Sequence, residues 1–96
     1  MSGNESKIKM LVSIIEEEFD KLTEICQMWH EQIDVIQSLR KEISDTNAPK
    51  DMQSKISLGS SLLKEEDILK NINSEMASKS DYLGSLLKVL KNYSTL

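Results

Sequence analysis

Cys26 and His30 stand four residues apart, a spacing that points a thiolate and an imidazole from one face of a helix. Zinc ligation and thiol nucleophilic catalysis both use such a pair. Zinc takes four N/S ligands, or three and a water, whereas the chain has one Cys and one His, so only a symmetric dimer joining two pairs would complete a site. His30-Glu31 does not extend to H-E-x-x-H, because Asp34 stands where the second His belongs. Di-iron bundles repeat Glu-x-x-His, and the residue three before His30 is Gln27. A thiol nucleophile would need His30 as its base and an orienting acid such as Asp34. Cys26 is expected to face a core in mid-helix, where no pocket forms. The pair therefore reads as a small packed residue and a flanking one: no catalytic residue, no metal ligand, no cofactor, and no enzyme.

Other chemistry is equally thin. Neither G-x-x-x-x-G-K-[ST] nor G-x-G-x-x-G occurs, so phosphate cradling has no support. Trp29 reads as a core anchor or a binding hot spot. The run Glu16-Glu17-Glu18-Phe19-Asp20 reads as a solvated face, with docking of a basic partner as its functional alternative. Met28 and Met76, on or beside the apolar seams, suit core gaps or an adaptable surface.

What remains are the elements themselves. From Ile8, steps of seven give Ile15, Leu22, Trp29, Ile36 and Ile43, a heptad a row in unbroken register. The d row is Leu11, Glu18, Ile25, Gln32 and Leu39, and where it turns polar the e position supplies Phe19 and Ile33. Val12 and Cys26 also lie at e, and Ile14, Met28 and Val35 at g. This stripe is wider than a two-stranded seam, so it implies contact with at least two neighbouring helices. No Pro or Gly interrupts residues 5–46. A first helix over about 5–44 would be about 60 Å long. Ser2 and Glu5 have capping-box spacing.

The connector, residues 45–51, holds the only proline, Pro49, and the chain is expected to turn there. A second helical region over about 52–94 follows, with Asn47 as the expected cap. Gly59 within residues 57–61 weakens helix locally, so a kink or short break is expected there. Leu62, Leu69, Met76, Leu83 and Leu90 then form an a row, with Leu58, Ile72, Leu86 and Tyr93 at d, and Glu65 and Lys79 interrupting it. That register favours one continuous helix, although Ser78 and Asp81 have the spacing to open a separate last one.

Composition agrees with this reading. The 96 residues are 39% hydrophobic and 29% charged, with three Gly, one Pro and four aromatics. So few turn residues and rings exclude a sandwich or barrel of many short strands. The net charge is −4: residues 1–48 carry −5 and residues 49–96 carry +1. An acidic first half without a clustered Lys/Arg face argues against nucleic acid. Acids beside the apolar stripe argue against a membrane surface, and the short apolar run at residues 10–15 reads as neither signal peptide nor spanning helix. One cysteine cannot form an internal disulfide, which favours an intracellular location, cytoplasmic or nuclear.

The expected fold is all-α: a single helical domain, a long antiparallel hairpin with coiled-coil-like patterning, completed to a three- or four-helix bundle by homo- or hetero-oligomerisation. The expected interaction surface is Ile15, Phe19, Leu22, Trp29, Ile33, Ile36, Leu83, Leu86 and Leu90. The function expected is that of a scaffold subunit or adaptor acting through protein partners. In architecture alone the chain resembles small subunits of cytoskeletal, kinetochore or vesicle-tethering assemblies. The alternative is a monomeric three-helix peptide- or ligand-binding module, which needs the break near residues 78–81.

Overall fold

In the computed structural model, residues 2–45 and 51–94 are described, and they form a hairpin of two helices, α1 (Ser2–Ser44) and α2 (Met52–Ser94). No strand occurs among the described residues. α1 starts at Ser2, with Glu5 in its first turn and Lys41 in its last, each of the sign the helix dipole favours at that end.

Asp51 caps α2. Its side-chain Oδ1 accepts the Ser54 backbone N–H at 2.7 Å and its carbonyl accepts the Lys55 N–H at 3.1 Å, satisfying donors that the first turn leaves open. The hydrogen bond from the Ser54 backbone, joined by one from its side chain, holds the Asp51 carboxyl below the ordinary carboxylate value, against a smaller upward push from burial. The expected cap, Asn47, lies outside the described residues.

α2 runs unbroken through residues 57–61, where a kink or short break is expected, and through residues 78–81, where the continuous register favours one helix over a separate last one. Gly59 costs about 1 kcal/mol relative to Ala, too little to break a helix whose apolar rows continue on both sides. Both Gly59 and Gly84 are helical and have no positive φ. The third helix that a monomeric three-helix module requires is therefore part of α2.

The hairpin divides into two compact units, one of Met1–Cys26 with Glu75–Leu96, the other of Gln27–Ser74. In the first, Ile15, Ile25 and Leu83 are buried, together with Glu18. In the second, the buried residues are Ile36 and Ile72. All of these lie at a or d positions. The remaining a and d side chains from Ile8 to Ile43 and from Leu58 to Tyr93 are half-buried. The heptad rows therefore mark the shielded seam. That shielding is incomplete, since no large side chain among the described residues is fully buried.

Candidate interaction surface

The polar members of the d rows find each other. In the first unit, Lys79 Nζ donates to Glu18 Oε2 at 3.3 Å, and Lys21 Nζ donates to Glu18 Oε1 at 3.3 Å from one turn further along α1. In the second unit, Gln32 Nε2 donates to Glu65 Oε2 at 2.6 Å and to the Glu65 carbonyl at 2.9 Å. Gln32 follows Glu18 by fourteen residues and Glu65 precedes Lys79 by fourteen. The four interruptions thus form two matched pairs, one within each unit, and the members of each row lie two heptads apart in the sequence. This pairing was missed because each row was read separately; equal spacing of complementary residues in both rows is the signal that reveals it.

Glu18 corrects the expected solvated face. Its carboxylate is buried, with 7% of the residue exposed, while its neighbours Glu16, Glu17 and Asp20 are exposed as expected. Burial pushes the Glu18 carboxyl up, but hydrogen bonds from Lys79 and Lys21, and their positive charge, outweigh it and leave the group below its ordinary value. The Lys21 ammonium is correspondingly raised, first by its hydrogen bond to Glu18, then by the Glu18 and Glu17 charges. Lys21 also bridges Glu17 at 3.7 Å, so it closes a small ionic network at one edge of the seam.

Glu18 therefore keeps the d position, and Phe19 does not replace it: Phe19 is 48% exposed. Ile33, beside Gln32, is half-buried. Of the other residues expected on the interaction surface, Ile15, Ile36 and Leu83 are buried within the hairpin, and Leu22, Trp29, Leu86 and Leu90 are half-buried. The Trp29 indole meets the His30 ring edge-on, with centroids 5.2 Å apart. Cys26 is a half-buried free thiol and His30 is exposed.

Two further contacts tie the helices together. Arg40 pairs with Glu66 at 2.9 Å, both at e positions, which places the e edges of the two helices on one side. Near the chain ends Lys7 Nζ lies 5.7 Å from the Tyr93 ring centroid, within cation–π range. The expectation of Tyr93 at the core edge matches its half-buried position.

Outside the seam the apolar surface continues. Val12 and Phe19 at e, Met28 and Val35 at g, are all more than a third exposed. α2 contributes Leu87 at e and Ile68, Tyr82 and Val89 at g, none of them marked by the a and d rows; carrying the heptad phase outward to e and g is what locates them. The described residues enclose no cavity and place no group of three or more His, Cys, Asp or Glu side chains where they could hold a metal ion. No described helix is long and apolar enough to cross a membrane. The arrangement offers elongated apolar edges bordered by charge, which is the chemistry of helix docking.

No protein-family model, curated protein or solved structure matches this chain.

Proposed function

We infer that this chain is a non-enzymatic subunit or adaptor of a multiprotein assembly of cytoskeletal, kinetochore or vesicle-tethering type. It acts inside the cell, in cytoplasm or nucleus, by completing a helical bundle with itself or with protein partners. The observation that carries this reading is the imbalance of burial: among the described residues, five hydrophobic ones are buried while twelve large ones remain more than a third exposed. Apolar surface left in water on that scale favours association, because each large side chain removed from water contributes about 1.5–3 kcal/mol.

Trp29 is the test residue, being a large half-buried side chain on the seam of α1. Trp29→Ala is expected to weaken association by about 1.5–3 kcal/mol, read by sedimentation of the full chain alone and together with proteins from its own cells. A stably folded chain that associates with nothing in either setting contradicts the reading.

A further inference from the structure

We propose that the e-edge face of the unit built from Met1–Cys26 and Glu75–Leu96 docks a second copy of this chain, α1 of each copy lying on α2 of the other. This rests on the bundle-forming function above and names its partner.

The face is apolar on both helices, with Val12 and Phe19 on α1 and Leu87 on α2, each more than a third exposed. Its relief differs between the helices. The Glu18–Lys79 bond sets the level along the hairpin, so Phe19 stands beside Ser80, the next residue on α2. Around Ser80 on the same edge lie Ala77 and Gly84. A Cβ built on Gly84 meets nothing within 4 Å, so this part of α2 is a shallow open slot. α1 thus presents a ring where α2 presents small residues.

A two-fold axis parallel to the helices keeps every residue at its own level and exchanges the helices. It brings Phe19 of each copy onto the slot at Ala77, Ser80 and Gly84 of the other. Val12 comes level with Leu87, which is as far beyond Ser80 as Val12 is before Phe19. Large side chains then meet small ones twice over, the self-complementarity an isologous interface demands.

Net charge also favours this arrangement over one that stacks α1 on α1. Within this unit α1 carries −3 over residues 2–26 and α2 carries +1 over residues 75–94. Laying α1 on α2 avoids the repulsion of stacking acidic α1 on acidic α1.

The test places a benzophenone side chain at position 19 of the full chain and irradiates an equal mixture of isotopically light and heavy protein. The expected product joins position 19 of one isotope to residues 77–84 of the other. Sedimentation should show a dimer whose dissociation constant rises at least tenfold in Phe19→Ser and in Gly84→Leu, which fills the slot. Gly59→Leu, at an equally open helical glycine in the other unit, should leave it unchanged. Circular dichroism of each variant confirms that the helices persist.

A monomer at millimolar concentration, or a dimer indifferent to Phe19→Ser and Gly84→Leu, overturns the proposal. Irradiation in an extract of the chain's own cells separates its failure from that of the broader function. Cross-linking to a different protein alone overturns the second copy and leaves bundle formation standing; no cross-link to any protein contradicts both.

Discussion

Gln32 donates to both the carboxylate and the backbone carbonyl of Glu65; the carbonyl keeps its helical donor, so removing Gln32 leaves the part-buried carboxylate without its amide partner. Gln32→Leu should destabilise the hairpin by about 1–3 kcal/mol in urea unfolding, and Gln32→Leu with Glu65→Leu should recover most of that loss. The recovery distinguishes an unmet polar group from a simple loss of packing. Glu18 makes the same argument through pH. Its carboxyl is depressed in the folded state, so its contribution is fully present above the ordinary value of 4.5 and is lost as pH falls through the lower folded value. Lys79→Met removes the main partner that offsets burial. The melting temperature should therefore fall at pH 7, and the difference from the parent chain should shrink as pH falls below the ordinary carboxyl value and Glu18 protonates. A difference independent of pH would exclude the ionic pair as its cause. Residue chemistry was legible only in part. Glu18 and Gln32 were read as gaps to be filled by Phe19 and Ile33, because the compensating charge and amide acceptor lie some sixty and thirty residues further along the chain.

At the scale of the element, α2 depends on its cap and tolerates its glycines. Asp51 accepts the Ser54 N–H only as well as its charge allows, and its carboxyl is depressed by that bond. Asp51→Ala should lower the melting temperature at neutral pH, with the loss fading as Asp51 protonates in acid. Gly59 is helical, has open space at its Cβ and no positive φ, so Gly59→Ala should stabilise the chain by about 0.5–1 kcal/mol in chemical unfolding. A loss instead would mean that the backbone at Gly59 is not the regular helix described. Both helices were legible from the a and d rows because a period of 3.5 residues survives any single weak residue. The break expected around Gly59 came from weighing a local propensity of about 1 kcal/mol without the cooperative helix on either side.

The two helices shield one another along a and d and leave the e and g edges exposed, as the width of the α1 stripe foreshadows. The sequence shows that a surplus exists. It does not show that the surplus of one unit is sorted into a ring on α1 and a slot on α2, because that follows from the level at which Glu18 meets Lys79. A second copy of the chain is the cover proposed for this surplus. Sedimentation equilibrium of the full chain across micromolar to millimolar concentration, with thermal unfolding at each concentration, tests this most directly. It predicts a mass rising from 10.9 kDa to twice that value, together with a melting temperature that climbs with concentration. A 10.9 kDa species with one unchanging melting temperature throughout that range would contradict it.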